Sequence, residues 1–274
     1  MKSFIRLTDF QKDELLEIYE IADHIEDYAG FLKGKTVVLF FPAGSIRTRV
    51  SFEKGIALLG GHSILFDPTS LEKKEDIRDV CGYLQNWADA LIIRHKDNCL
   101  LEKIAGLSEI PVINAMTDEN HPCEVLSDLY ALSKRRKDFL SDQYLFAGGR
   151  GNIGNAWKEA AVAFGLSLSQ CCPEGYEISG IPCIHDLKSG IKGKDIVCTD
   201  SIPKEWLPAF RDFRITQEIM ELANDGALLN PCPPFYRGKE VSEDVINSDF
   251  FVGYGFKKEL LTVQQAILIY CFLH

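Results

Sequence analysis

The sequence predicts an α/β protein of two domains, each a parallel β-sheet flanked by helices. Short apolar runs alternate with amphipathic segments of helical period along the chain, which is typical of parallel βαβ units. The chain has 274 residues, 46% of them hydrophobic, which is enough to fill two cores. The pattern also restarts after a charged block at 133–138, and this indicates a domain junction. We therefore place the first domain at residues 1–135 and the second at 136–257.

The first domain begins with a helix predicted over 8–29, where apolar residues recur at helical spacing and Thr8 or Asp9 can cap the start. Apolar runs then alternate with amphipathic ones, and Gly60-Gly61 ends the helix that follows the first strand. The predicted strands are 35–41, 62–66, 88–93 and 111–114, and the later helices include 75–87, 97–106 and 122–134.

The second domain repeats this alternation. The last segment of the chain is apolar on most faces of a helix, so we expect the residues 258–274 to pack back on the first domain. The predicted strands are 143–147, 166–172, 194–198 and 227–229, and the helices are 153–164, 216–224, 242–247 and 259–273.

Composition limits the partners and the compartment. A net charge of -10 argues against nucleic acid or an anionic membrane as the main partner. We find no leader and no run long enough to span a bilayer, so we expect a cytoplasmic protein. The nine cysteines are irregularly spaced and predict free thiols rather than disulfides. Cys171 and Cys172 are adjacent and lack the two-residue gap of a metal knuckle, so no zinc site is predicted.

A cluster of hydroxyl and guanidinium side chains follows the first strand. Ser45, Arg47, Thr48 and Arg49 lie within five positions at a predicted helix start. Free N–H groups at a helix N-terminus, together with these side chains, make a site for a phosphate-like anion. The alternative is an exposed basic turn. Within the group, Arg49 is the residue best suited to a structural role, because it can form an ion pair with Glu53, four residues further on.

Two more polar groups follow strands of the first domain. Arg94 follows an apolar run and can reach a ligand oxygen with its planar fork, although a surface ion pair is the alternative; its neighbour His95 is expected to point away.

The second group precedes a helix that begins with proline. His121 lies at the predicted helix cap, and Glu124 lies one turn along on the same side. A neutral histidine can donate to a carbonyl oxygen, and a carboxylate can accept from an amide NH2. A histidine alone is more often structural, and Cys123 is only a weak nucleophile candidate.

Two loops of the second domain also follow strands. The stretch 148–155 fits the pattern G-x-G-x-x-G, and Glu174 follows the next strand, so a nicotinamide-dependent enzyme is one alternative. The residues between these glycines are polar, Arg150 and Asn152. The stretch 229–234 forms a proline-locked loop whose backbone carbonyls suit an NH2-rich ligand, with a cis peptide bond expected before Pro233.

Taken in this order, the motifs resemble the aspartate/ornithine carbamoyltransferase family over essentially the whole chain, with the ornithine branch closer. Ser45-Ile46-Arg47-Thr48-Arg49 is similar to the family's Ser-Thr-Arg-Thr-Arg phosphate loop. His121-Pro122-Cys123-Glu124 is similar to its His-Pro-Cys-Gln, and Asn230-Pro231-Cys232-Pro233 to its His-Cys-Leu-Pro loop.

The resemblance implies roles for individual residues. Arg94 and His121 would be catalytic, Asn152 and Asp200 would hold the second substrate, and Lys73 with Lys74 would reach a neighbouring subunit of a homotrimer with shared sites. It implies no metal and no redox cofactor. The residues implied to bind carbamoyl phosphate are Ser45, Ile46, Arg47, Thr48, Arg94, His121, Glu124, Cys232 and Pro233.

The implied reaction transfers a carbamoyl group from carbamoyl phosphate to the amine of an amino-acid-like substrate, ornithine-type before aspartate-type. A neutral amine would attack the carbonyl carbon, and phosphate would leave as a dianion stabilised by the first loop. Catalysis would then be orientation and electrostatics, with no covalent intermediate.

The sequence also departs from the family pattern. Glu124 replaces a glutamine, and Asn230 replaces a histidine. The segment 257–260 lies where an arginine is expected, with Lys258 as a partial substitute, and the Ser-Met-Gly segment expected after Asp200 is missing. These departures keep a second alternative open, a non-catalytic relative that binds carbamoyl phosphate or another phosphate ester.

Overall fold

The computed structural model describes all 274 residues and divides them into two compact units. Unit 1 comprises Met1–Ala131 and Lys257–His274, and unit 2 comprises Leu132–Phe256. The division therefore lies a few residues before the predicted junction at 135/136, and the returning segment begins one residue earlier than 258.

Each unit contains one sheet, and all of its strands are parallel, as predicted. The order is β2-β1-β3-β4 in unit 1 and β7-β6-β5-β8-β9 in unit 2. The strands are β1 (Thr36–Phe40), β2 (His62–Phe66), β3 (Ala90–Arg94), β4 (Val112–Met116), β5 (Gln143–Ala147), β6 (Ser167–Cys171), β7 (Cys183–Ile184), β8 (Ile196–Thr199) and β9 (Leu228–Pro231).

Helices connect the strands. Short 3-10 turns lie at Leu7–Asp9, Ile25–Tyr28, Pro68–Leu71, Lys204–Trp206, Arg211–Phe213 and Tyr254–Lys258. The α-helices are α1 (Lys12–Asp23), α2 (Arg47–Leu58), α3 (Ile77–Leu84), α4 (Asn98–Leu107), α5 (Pro122–Ser133), α6 (Asn152–Phe164), α7 (Leu187–Gly190), α8 (Gln217–Met220), α9 (Glu243–Ile246) and α10 (Glu259–Leu273).

The helix predicted over 8–29 is wrong in its extent. It divides into a 3-10 turn, the helix α1 and a second 3-10 turn. The N-cap of α1 is Gln11, whose backbone N–H donates to Glu14, rather than Thr8 or Asp9. The one-turn helix α7 was not predicted, nor was the strand β7, because a strand of two residues carries no hydrophobic period.

The C-terminal helix packs back on unit 1, as predicted. The stretch 263–271 of α10 is buried, and the helix contacts α1 and α2. Gly55 on α2 permits this close approach, because a Cβ there would lie 2.9 Å from Gln265 Cγ. The Gln265 side chain in turn donates to the Gly55 carbonyl oxygen at 3.1 Å.

The predictions on thiols and membrane spans can also be compared with the structure. All nine cysteines are free, as predicted, and seven of them are buried; Cys99 is exposed and Cys183 partly so. No helix is both long enough and apolar enough to cross a bilayer.

Two glycines in helices provide a matched test of the packing in unit 2. A Cβ on Gly154 of α6 would lie 2.4 Å from Ile178 Cδ1 and 2.7 Å from the Phe146 ring, whereas a Cβ on Gly106 of α4 would meet nothing within 4 Å. We expect Gly154→Ala to lower the free energy of unfolding by about 1–3 kcal/mol through overpacking. Gly106→Ala should raise it by about 0.5–1 kcal/mol through helix propensity. Urea denaturation measures both, and equal effects of the two substitutions would contradict the packing.

Candidate active site

The strand order of unit 1 reverses between β1 and β3. Ligands of parallel α/β sheets bind at the carboxyl ends of the strands next to such a reversal. The loop that carries Ser45 follows β1, and Arg94 is the last residue of β3. The register between β3 and β4 shifts at Arg94, an irregularity of the kind that re-aims a side chain.

The predicted anion loop lies at this point. Arg94 Nη1 donates to Ser45 Oγ at 3.1 Å, and the side chains of Ser45 and Thr48 are buried. Ile46 is the N-cap of α2 and supplies no side-chain cap, so the first N–H groups of the helix remain available to an anion. The Ile46 side chain itself is 71% exposed, which leaves its backbone as the part suited to binding.

Two guanidinium groups share this region. Burial, and then the nearby charge of Arg47, lower the pKa of Arg94, and neither arginine forms an ion pair within the chain. Arg49, by contrast, pairs with Glu53 at 2.7 Å, as predicted. Arg47 and Arg94 thus form a positive region that an anion would stabilise.

His121 immediately precedes α5 and is buried. Burial lowers the pKa of His121 to about 4, and although Glu124 acts in the opposite direction, Arg94 and Lys257 lower it further. The ring is therefore neutral at pH 7, and its Nδ1 has no hydrogen-bond partner. A neutral imidazole in this position can donate one hydrogen bond to a ligand oxygen.

Glu124 belongs to a buried cluster of charges that the sequence did not reveal. Lys257 Nζ lies 2.7 Å from Glu124 Oε1 and 2.5 Å from Asp128 Oδ1. Burial alone would raise the pKa of Glu124, but the positive charges of Lys257 and Arg47 and the hydrogen bond from Lys257 hold it below its usual value. Glu124 is therefore an ionised carboxylate, and one ammonium group neutralises part of the charge of two carboxylates.

The assignment of the substitute lysine to Lys258 is wrong. Lys258 is exposed, whereas Lys257 makes the contacts with Glu124 and Asp128. Asp128 lies four residues after Glu124 and so on the same face of α5, which is a signal the sequence does contain. The 3-10 turn that ends at Lys258 decides which of the two adjacent lysines faces α5.

Two neighbours of the predicted site have structural roles. Cys123 is buried and donates from Sγ to the Asn114 carbonyl oxygen at 3.3 Å, and burial raises the pKa of its thiol. It is therefore not a thiolate nucleophile. His95 accepts from the Asp97 N–H through Nδ1 and lies 3.1 Å from Glu72 through Nε2, so its ring is engaged outside the anion loop.

Lys73 and Lys74 lie in the segment between the 3-10 turn at Pro68–Leu71 and α3. Both side chains are exposed, and neither forms an ion pair within the chain.

In unit 2 the strand order reverses between β5 and β8. Asn152 is the first residue of α6, directly after the glycine loop, and Asp200 follows β8. Asp200 Oδ1 accepts from the Ser201 N–H at 2.7 Å, and Oδ2 lies 3.9 Å from the position of a Cβ on Gly151. The structure thus brings the two residues predicted for the second substrate to the same edge of this sheet.

The proline loop follows β9, the neighbour of β8. Cys232 is buried, and its N–H donates to the Thr199 carbonyl oxygen at 3.0 Å, so the loop lies beside Asp200. The expected cis bond before Pro233 is wrong, because the cis peptide is the next one, Pro233–Pro234.

The glycine loop of unit 2 has a packing explanation. A Cβ on Gly149 would lie 2.7 Å from the Trp206 ring, and a Cβ on Gly154 would overlap Ile178 and Phe146. The backbone N–H of Arg150 donates to the Tyr176 carbonyl oxygen at 2.9 Å. Close packing of aromatic and aliphatic side chains therefore accounts for two of the three glycines that fit the dinucleotide pattern. The packing of Trp206 against the glycine loop could not be predicted from the sequence, because the residue lies outside any regular strand or α-helix.

Comparison with known proteins covers the whole chain. Residues 2–134 match the family model described as aspartate/ornithine carbamoyltransferase, carbamoyl-P binding domain. Residues 142–271 match the model described as aspartate/ornithine carbamoyltransferase, Asp/Orn binding domain. An ornithine carbamoyltransferase of Halorhodospira halophila is 32% identical over an alignment of 298 positions, gaps included, which covers 100% of this chain and 99% of that one.

Solved structures agree with the sequence matches. The ornithine carbamoyltransferase of Burkholderia thailandensis superposes with a TM-score of 0.93 at 28% identity, over 100% of this chain and 99% of that one. The enzyme of Pyrococcus furiosus gives a TM-score of 0.92 at 27% identity, over 97% and 96% of the two chains.

The buried neutral His121 predicts an acid dependence of stability. Its pKa is about 4 in the folded protein and about 6.5 in an unfolded chain, so the unfolded chain takes up the proton first as the pH falls. The free energy of unfolding should therefore decrease from pH 6.5 down to pH 4, by about 2 kcal/mol at pH 5 from this group alone. Urea denaturation at pH 7.5 and pH 5 measures this decrease in the free energy of unfolding. The decrease should be about 2 kcal/mol smaller in His121→Gln than in the wild type. Identical pH dependence in the two proteins would contradict a buried neutral imidazole.

Proposed function

Because the chain belongs to the aspartate/ornithine carbamoyltransferase family, we propose that it transfers the carbamoyl group of carbamoyl phosphate to the side-chain amine of ornithine. The products are a ureido amino acid and phosphate. The observation that carries the proposal is the arrangement of Ser45, Arg47 and Arg94 at the start of α2, where the chain offers an anion two guanidiniums, hydroxyls and helix N–H groups.

Carbamoyl phosphate would bind to unit 1 through its phosphate. The N–H groups of Ile46, Arg47 and Thr48 lie at the positive end of the α2 dipole. These N–H groups, Ser45 Oγ and the guanidinium groups of Arg47 and Arg94 together offset the two negative charges of the phosphate. The same contacts stabilise the phosphate as it leaves, because its charge grows during the reaction.

The carbamoyl group would be oriented by the groups that follow β4. His121 is neutral, so it can donate to the carbonyl oxygen without adding a competing charge, and Arg94 polarises the same oxygen. Glu124 accepts a hydrogen bond from the carbamoyl NH2.

Lys257 makes an ionised Glu124 compatible with a phosphate dianion. A second negative charge near the phosphate would repel it, but the ammonium 2.7 Å from Glu124 offsets that charge. Since Oε1 is engaged by Lys257, Oε2 of Glu124 is the oxygen left for the carbamoyl NH2.

The second substrate would bind to unit 2. The carboxylate of Asp200 pairs with an ammonium group of ornithine, and the amide of Asn152 donates to its carboxylate. The reacting amine must be neutral, and its lone pair attacks the carbonyl carbon of carbamoyl phosphate. The C–O bond to the phosphate then breaks, and the departing phosphate takes up the proton that the amine loses, so that it leaves as a dianion. Positioning and electrostatics supply the catalysis.

We also propose a homotrimer in the cytoplasm. Every side chain of the edge strand β2 is exposed, including Ile64, Leu65 and Phe66, and α2 beside it exposes Val50 and Leu58. Apolar groups concentrated at one edge of a sheet are characteristic of a surface that another copy covers. Lys73 and Lys74 would reach the site of that neighbour. Nine free cysteines suit a reducing compartment.

The function is tested with two arginines in the first turn of α2, Arg47 and Arg49. Purified protein with carbamoyl phosphate should release phosphate in an ornithine-dependent manner, and Arg47→Ala should lower kcat/KM for carbamoyl phosphate by roughly 100- to 1000-fold. Arg49→Ala, which loses only the half-exposed pair with Glu53, should stay within about threefold of the wild type. Absence of amine-dependent release, with Arg47→Ala and wild type alike, would reject the proposal.

The charge cluster makes a separate prediction. Lys257→Met should lower kcat/KM for carbamoyl phosphate by roughly 10- to 100-fold, because Glu124 then either repels the phosphate or becomes protonated. The double variant Lys257→Met/Glu124→Gln should recover part of this loss, since a neutral amide needs no ammonium. Lys258→Met is the matched control and should behave like the wild type. A double variant no better than Lys257→Met would contradict the charge compensation.

The trimer is tested on the edge strand. Ile64→Glu places a charge on the exposed apolar face, and we expect sedimentation to show single chains where the wild type shows three. Activity should fall with the trimer, because the sites are shared. Val162→Glu alters an apolar side chain on α6 that is more exposed than Ile64, and it should leave three chains together. A wild-type protein that sediments as one active chain would refute this proposal.

A further inference from the structure

Two thiols and an imidazole meet at the far edge of the unit 2 sheet. Cys172 directly follows β6, Cys183 is the first residue of β7, and His185 follows β7. The two strands are parallel neighbours, with Cys171 opposite Ile184, so their carboxyl ends bring these side chains together. The pair is Cys172 with Cys183, not the adjacent Cys171-Cys172 that the sequence brings to notice.

The donor atoms have the spacing of metal ligands. Cys172 Sγ lies 3.5 Å from Cys183 Sγ, Cys183 Sγ lies 4.0 Å from His185 Nδ1, and the three atoms lie within 4.8 Å of one another. Tetrahedral zinc, with Zn–S of about 2.3 Å and Zn–N of about 2.05 Å, has edges of about 3.8 Å between sulfurs and about 3.6 Å between sulfur and nitrogen. The Cys172–Cys183 sulfur distance and the Cys183–His185 sulfur–nitrogen distance therefore differ from the zinc geometry by a few tenths of an ångström.

A carboxylate lies near the second ring nitrogen of the histidine. His185 Nδ1 is 2.8 Å from the Cys172 carbonyl oxygen, and Nε2 is 3.7 Å from Glu177 Oε1. Binding of a cation to Nδ1 would replace its hydrogen bond to the Cys172 carbonyl oxygen and place the ring proton on Nε2, which must move closer than 3.7 Å to donate to Glu177. A carboxylate that holds the second nitrogen of a ligating histidine is the usual arrangement around protein-bound zinc.

We propose that Cys172, Cys183 and His185 bind a thiophilic divalent cation of the zinc type, with solvent in the fourth position. Two sulfurs and one imidazole select such ions over magnesium and calcium, which require oxygen ligands. Cys183 is partly exposed and the His185 side chain is 40% exposed, so an ion can enter from solution.

The site lies outside the groups assigned to carbamoyl transfer and does not depend on that assignment. Its effect would be on the segment 173–182 between its first two ligands. Tyr176 in this segment accepts from the Arg150 N–H of the glycine loop at 2.9 Å, and Gln170 on β6 donates to the Gly148 carbonyl oxygen at 2.8 Å. A bound ion would therefore stabilise the segment against which the glycine loop packs.

The test uses Co²⁺ as a spectroscopic probe and the full chain, reduced with a phosphine. We expect one Co²⁺ per chain, with thiolate-to-cobalt charge-transfer absorption and the intense visible bands of tetrahedral coordination. Cys183→Ser and His185→Gln should each weaken binding at least tenfold, while Cys99→Ser, which changes the exposed cysteine on α4, should bind like the wild type. Both ligand substitutions affect partly exposed side chains, and circular dichroism of the metal-free proteins verifies their fold.

Thermal unfolding with Zn²⁺ provides an independent readout. Zinc should raise the Tm of the wild type and of Cys99→Ser, because an ion that binds only the folded state stabilises it, and should not raise that of Cys183→Ser. Absence of the thiolate band in the wild type would overturn the proposal. An unchanged band or an unchanged Tm shift in Cys183→Ser would overturn it as well.

Discussion

The reversal of strand order in each sheet decides where chemistry can occur in this protein. Right-handed crossovers place helices on both faces of a parallel sheet, and a crevice remains only where the order turns, at the carboxyl ends of the strands. In unit 1 that point lies between β1 and β3, and it collects Ser45 and Arg94. In unit 2 it lies between β5 and β8 and collects Asn152 and Asp200. Residues far apart in sequence become neighbours because of this one constraint.

The burial of charge sets a second condition. Glu124 and Asp128 are buried carboxylates on one face of α5, and Lys257 is the ammonium between them. The family pattern that the sequence resembles has a neutral amide and an arginine in these places. An exchange of amide and arginine for carboxylate and lysine adds one negative charge and so lowers the net charge of the region by one. The phosphate would then depend more heavily on Arg47, Arg94 and the N-terminus of α2.

Much of the site could be predicted from the sequence because its residues follow apolar strands directly. Arg94 ends β3, His121 precedes the proline of α5, and β5 has the predicted bounds. The role of Lys257 could not be predicted, since its contacts with Glu124 and Asp128 join residues more than a hundred positions apart. The contact between Cys172 and Cys183 could not be predicted either. It depends on β7, whose two residues are too few to show a hydrophobic pattern. Predictions failed where a contact depends on tertiary packing or on a very short element.

The transfer of the carbamoyl group itself is tested most directly by following labelled carbon. Carbamoyl phosphate that carries ¹³C is incubated with ornithine and the protein, and the amino acid is analysed by mass spectrometry beside an enzyme-free control. The account predicts that the label appears in a ureido derivative of ornithine, with one phosphate released for each product. Tight calorimetric binding of carbamoyl phosphate with unlabelled, unmodified ornithine would contradict it and identify a binding protein instead.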